Sequence, residues 1–242
     1  MHPSPARLAV TLTLLAALAG APAAAVELQR ETRAVAGFHR IDINGEARVT
    51  LVQGATESVT IEAPAAALAQ IHTAVHGGTL SVDVETPHSF WRWFSGSGGG
   101  PTPHVTVHLR DIDRIEGAGS VSLDAEHLST SDLRLDFAGA CTLSLADLQA
   151  TSLDLDGSGA MKVTIGGKVV RQKIDLSGAG SYEAADLVSS DALVSVSGAG
   201  KAVVNASNSL VVDISGAGKV EYLGEPKLKQ SISGLGKVTR RD

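Results

Sequence analysis

Two sets of charged residues recur at fixed distances from glycine in this chain of 242 residues. Asp136, Asp154, Asp175 and Asp213 each stand three positions before a glycine, Ser195 interrupts the series, and Asp156 lies beside it. Carboxylates on neighbouring segments can cleave glycosides, one as general acid and the other as base or nucleophile, when they face each other across a scissile bond. The plainer reading is a solvated acidic column, because period-two alternation puts these side chains opposite the aliphatic ones. Lys201, Lys219 and Lys237 stand three positions after a glycine. They predict a basic column, either a dock for an anionic glycan or a row of like charges that discourages extra strands.

The remaining candidate chemistry is sparse. Phe90, Trp91, Trp93 and Phe94 fall within Pro87–His104, a stretch of glycine, proline and serine that reads as a loop. They would act as a lid on an open end or groove, or as an exposed patch for an envelope glycan or protein partner. The same loop is a route to a homo-oligomer. Cys141 is the one cysteine, so no intramolecular disulfide forms, and in an apolar surrounding it reads as a small buried hydrophobe. His72, His76, His88, His104 and His108 lack the spacing of a zinc site. Gly-x-Gly recurs, but strands rather than a helix follow it, which removes the phosphate-loop reading. Calcium repeats need an Asp after the glycines, where this chain has Ser, Thr, Ala or Lys. There is no Gly-x-Ser-x-Gly elbow. No cofactor, metal or catalytic residue is expected, and the enzyme reading rests on the aspartates alone.

Residues 1–25 read as a signal peptide: Arg7, an apolar run Leu8–Ala19, and small residues for cleavage after Ala25 or, failing that, Ala23. The run is too short to span a membrane comfortably, and no later stretch approaches that length. With no cysteine behind the run, a lipid anchor is not expected. Removing the leader deletes one basic residue and no acidic one, taking the formal charge from −6 to −7. Such a balance argues against nucleic acid as a partner, since phosphate neutralisation needs a basic face. The expected address is the periplasm or the cell surface.

Residues 26–86 read as an N-terminal β-rich section. Ile41 and Ile43, Val49 and Leu51, Val59 and Ile61, and Leu80, Val82 and Val84 are each two apart, the strand period. Asn44-Gly45 and Gln53-Gly54 mark turns. Pro64 followed by the Ala-rich stretch Ala65–Val75 predicts one short helix, stopped by Gly77-Gly78.

Residues 105–242 repeat. The clear copies carry Gly178 and Gly180, Gly198 and Gly200, Gly216 and Gly218, and Gly234 and Gly236, most in the form Ser-Gly-Ala-Gly. The weaker ones carry Gly117 and Gly119, Gly139, and Gly157 and Gly159. Taking the first glycine of each as the corner gives steps of 22, 18, 21, 20, 18 and 18 residues. Aliphatics fall four and two positions before the corner, as in Leu153 and Leu155 or Val194 and Val196. Two short strands with one apolar face cannot bury it alone, whereas stacked copies share a core. The glycines supply the bends. The chain is therefore expected to be all-β, a parallel β-helix-like solenoid with turns of about 20 residues. A propeller blade needs about 40 residues and leaves the single-unit identity unexplained.

The opening Val35-Ala36-Gly37-Phe38-His39-Arg40-Ile41-Asp42-Ile43, Ala47–Gln53, Gly78-Thr79-Leu80-Ser81-Val82 and the glycine repeats together resemble the GIN-domain family, whose name assigns it to the heads of autotransporter adhesins. The resemblance covers roughly residues 34–238. It implies a right-handed β-helix-like fold on exported bacterial proteins and transfers no binding residues. The function expected is a non-enzymatic structural or binding module of the cell envelope. The alternative is a carbohydrate-active β-helix enzyme using Asp residues on adjacent coils.

Overall fold

The computed structural model describes residues 27–85 and 102–241. Most of them are extended. The strands are β1 (Leu28–Arg33), β2 (Arg40–Gln53), β3 (Ser58–Pro64), β4 (Ile71–His76), β5 (Thr79–Val84), β6 (His104–Leu109), β7 (Arg114–Ser129), β8 (Asp132–Gly198), β9 (Lys201–Gly216), β10 (Lys219–Leu223), β11 (Lys227–Gly234) and β12 (Lys237–Arg240). They form one open sheet of 12 strands. Among the described residues the single helix, α1, is Ala65–Leu68.

Successive repeats pair in parallel and in register. Arg114 lies opposite Arg134, Gly119 opposite Gly139, and Leu123 opposite Leu143. Val194 lies opposite Val212 and Gly198 opposite Gly216. Gly216 in turn meets Gly234. Alternation sends one set of side chains inward, so Leu135, Leu143, Leu155, Ile174, Val194 and Val212 are all at most 1 % exposed. A ladder of this kind satisfies backbone N–H and C=O groups rung by rung, which lets a chain with few aromatics bury its backbone around a thin aliphatic core.

The bends lie over one another. Gly45, Gly119, Gly139, Gly159, Gly178, Gly198, Gly216 and Gly234 all have φ between +105° and +122°. A Cβ on each from Gly119 onward would run into the carbonyl of the glycine one rung before it. The column thus uses the second glycine of the weak copies at 119 and 159, not the first, and its steps become 20, 20, 19, 20, 18 and 18 residues. Gly117 and Gly157, and likewise Gly180, Gly200, Gly218 and Gly236, stand two positions from a bend and lack its left-handed backbone. Most are small because a neighbour fills the space. A Cβ on Gly117 would lie 2.5 Å from the Phe137 ring, and one on Gly236 2.5 Å from Ile214 Cγ2. Each bend therefore carries one bulky and one small flank: Ile43 with Ala47, Phe137 with Cys141, Met161 with Gly157, Val196 with Gly200. Close packing accounts for this alternation of volumes.

The two halves read from the sequence are continuous in space. β2 pairs with β7 on one side, and on the other its first part pairs with β5 and its second with β6. β5 and β6 together make the rung before β2, although they follow it in the chain. At the Gly45 bend a Cβ would meet the Val84 carbonyl, so the end of β5 lies at the head of the glycine column.

The helix expected over Ala65–Val75 is confined to Ala65–Leu68. Ile71–His76 instead pairs antiparallel with β5 through the turn at Gly77 and Gly78, whose φ values are +56° and +79°. Thr73 and Val75 favour the strand, and this left-handed turn closes a hairpin. β1, β3 and β6 pair antiparallel at the same end of the stack. Leu68 on α1 packs into the core there.

Candidate functional site

Outward side chains form strips along the stack, and the predicted charged residues lie in two of them. In the first strip, Arg40, Arg114 and Arg134 are in register, beside Asp42, Glu116 and Asp136. The glycine column extends both rows: Asp156 and Asp175 continue the acidic row and Asp213 lies further along it. Asp154 falls in the neighbouring row, between Arg134 and Lys173. The aspartate column read from the sequence is thus shifted at one rung, because Gly159 rather than Gly157 makes that bend. The strip is ion-paired: Arg114 Nε sits 2.6 Å from Glu116, Arg134 Nε 3.0 Å from Asp136, and Lys173 Nζ 3.2 Å from Asp175 and 3.5 Å from Asp154. Asp136 raises the Arg134 pKa by hydrogen bond and charge, and Asp175 and Asp154 raise that of Lys173. Glu116, Asp136, Asp154 and Asp175 are thus paired on an open face.

The second strip contains the three lysines. Lys201, Lys219 and Lys237 are in register, as expected for a column. Lys219 Nζ lies 2.5 Å from Glu221 and Lys201 Nζ 3.3 Å from it, while Arg241 reaches Glu183 at 3.2 Å. Lys219 first, then Lys201, holds the Glu221 carboxyl below the usual carboxylate range. Val203, opposite both Glu183 and Glu221, is fully buried between these pairs. Lys237 has no ion pair among the described residues.

The strips break at one place. Leu193 and Val211, opposite each other, replace the charged residues of the Arg40–Lys173 row. They help line a shallow groove of about 460 Å³ with Ser152, Asp154, Arg171, Lys173, Asp191 and Ser209. Asp191 accepts hydrogen bonds from Ser209 Oγ at 2.5 Å and Asn208 Nδ2 at 2.8 Å, which lower its pKa.

Sequence reading missed one polar cluster inside the core. Tyr182 Oη donates to Gln172 Oε1 at 3.0 Å, Gln172 Nε2 donates to Ser189 Oγ at 2.9 Å, and Ser189 Oγ donates to the Asn205 carbonyl at 2.6 Å. Gln172 and Ser189 are each 2 % exposed and Tyr182 fully buried. The register slips beside them, between Ala184 and Val188 and again between Ser189 and Asp191. Buried hydrogen-bonding groups serve an irregular backbone that the ladder cannot satisfy. A signal existed: Gln172 is two positions before the inward Ile174.

Cys141 is buried, and burial pushes its thiol pKa up. Among the described residues no group of three or more His, Cys, Asp or Glu is arranged to hold a metal, and no helix is long and apolar enough to cross a membrane. Phe90, Trp91, Trp93 and Phe94, and the signal segment, lie outside the described residues.

Residues 37–226 match the family described as "Putative auto-transporter adhesin, head GIN domain". The chain belongs to this family. No curated protein matches this GIN-domain chain in sequence. Solved structures share its fold. A putative adhesin from Bacteroides fragilis superposes with a TM-score of 0.81 at 20% identity, covering 90% of this chain and 98% of that one. A putative lipid binding protein from Parabacteroides distasonis gives 0.68 at 17% identity over 89% and 97% of the two chains. A putative adhesin from Parabacteroides merdae gives 0.66 at 13% identity, again over 89% and 97%.

Proposed function

We propose that this GIN-domain protein is an exported, non-enzymatic module of the cell envelope, at the surface or in the periplasm, that presents repetitive strips to a glycan or protein partner. Its repeats close as a right-handed parallel β-helix with turns of about 20 residues, the step of the glycine column. The observation that carries this reading is the ion pairing on the outward faces: Asp136, Asp154 and Asp175, three of the aspartates that would serve a glycosidase, are each held by an Arg or Lys. Family membership and the shared fold of adhesin-like proteins support the same reading. Contact with the partner falls to Phe90, Trp91, Trp93 and Phe94, in the stretch of sequence that follows Val84, and to the Lys201, Lys219 and Lys237 strip. That segment is also the proposed contact for a homo-oligomer.

A glycan array probed with the protein and with a variant carrying Trp91→Ala and Trp93→Ala tests this directly. Saturable binding to an envelope glycan that the variant loses is the expected result. Depolymerisation of any polysaccharide, lost in Asp156→Asn or Asp175→Asn, would replace the module with an enzyme.

A further inference from the structure

The two ends of the stack differ. At the start, antiparallel strands and α1 cover the first rung. At the other end β11 pairs only with β9 and β12 only with β10, so each keeps one row of backbone N–H and C=O groups unpaired among the described residues. Side chains buried in every earlier rung emerge there. Leu210 and Ile214 are 0 % and 3 % exposed, but Leu228 and Ile232, in register with them, are 39 % and 40 % exposed. Leu235 at the bend is 89 % exposed.

The charge of this rung opposes that of the chain. Lys227, Lys229, Lys237, Arg240 and Arg241 stand on or beside it in a protein of formal charge −6. Arg240 and Arg241 are held by Glu225 and Glu183, whereas Lys227, Lys229 and Lys237 have no ion pair among the described residues. An open edge with exposed aliphatics is a template for another strand, and edge lysines decide which strand is admitted. A second copy meeting this one end to end would place lysine against lysine, and like charges directly opposite destabilise a pair. A strand with carboxylates meets no such barrier.

We propose that β11 and β12 form a docking edge that takes an extended acidic segment of a partner polypeptide as an added strand. Backbone pairing supplies the affinity, in the manner of strand addition to an exposed edge. The unpaired lysines supply the selectivity, and Leu228, Ile232 and Leu235 give the incoming strand an apolar surface to cover.

Hydrogen exchange with three synthetic eight-residue peptides tests this: alternating Val and Glu, alternating Val and Lys, and the Val-Glu peptide with a central proline. The Val-Glu peptide should slow exchange at amides of Lys227–Gly234 and Lys237–Arg240 by about tenfold or more, and the other two should not. The triple variant Lys227→Glu, Lys229→Glu and Lys237→Glu, its fold checked by circular dichroism, should reverse the preference toward the Val-Lys peptide. Absent protection by the Val-Glu peptide would overturn the proposal. Equal protection by the proline peptide would reduce the contact to charge alone and overturn strand addition. Protection without peptide that grows with protein concentration, alongside a doubled mass in light scattering, would assign the edge to a second copy instead.

Discussion

A methyl group on Gly198 would lie 2.5 Å from the carbonyl oxygen of Gly178, one rung before it. Gly198 also has φ +118°, where side chains are strained whatever the space. Gly180, two positions from the Gly178 bend, has neither restriction: its added Cβ would make ordinary contacts at 3.6 Å with Met161. Gly198→Ala should therefore cost about 3 kcal/mol or more, combining backbone strain with a backbone clash. Gly180→Ala should be neutral or stabilising by up to about 1 kcal/mol. Urea unfolding of both variants checks the contrast.

Tyr182→Phe removes a buried donor and leaves Gln172 Oε1 without a partner, which should cost about 1–3 kcal/mol near neutral pH. Burial pushes the Tyr182 phenol pKa above its ordinary value. Above pH ~10 the unfolded chain releases this proton while the folded one keeps it, so the stability linked to Tyr182 is present below that pH and lost as pH rises. The gap between wild type and Tyr182→Phe should narrow between about pH 9 and 11. Denaturant midpoints across that range measure it.

Glu221 works in the opposite sense. Its folded pKa is depressed by Lys219 and Lys201, so its contribution is present above the usual carboxylate range and lost as pH falls through the folded value. Carboxyl NMR should place its titration below that of a free glutamate. Lys219→Gln should move it back up, since Lys219 makes the largest contribution.

Burial raises the Cys141 pKa and hides the thiolate that a reagent attacks. The native protein should stay unreactive toward a thiol reagent over the time in which the urea-unfolded chain reacts fully.

Much of the sheet was legible because period-two aliphatics such as Leu153 and Leu155, and a glycine step near 20 residues, both act locally. The bend itself was not. In copies with two glycines, one or the other can turn, and only the neighbouring rung shows that Gly119 and Gly159 do so while Gly117 makes room for Phe137. Ala65–Val75 combines a proline start with alanines, but the pairing of Ile71–His76 with β5 overrides that helix signal. The order of the first rungs was also hidden. Nothing local in β2 shows that a rung made of β5 and β6, later in the chain, stacks before it. The lysine column was readable from its spacing. The Glu183 and Glu221 carboxylates that pair with Lys201 were not, because they belong to the neighbouring rungs.

The regular stacking of the bends is tested most directly by pulsed electron resonance on nitroxide pairs, in a Cys141→Ser background. One label goes at the exposed Ala118 and the second at Ser197, Ser215 or Ser233, each immediately before a column glycine. These sites lie four, five and six rungs along the stack from Ala118. At roughly 4.8 Å per rung the distances should be about 19, 24 and 29 Å, rising by one even increment. Distances that fail to rise in that order, or that scatter over tens of ångströms, would contradict the stack.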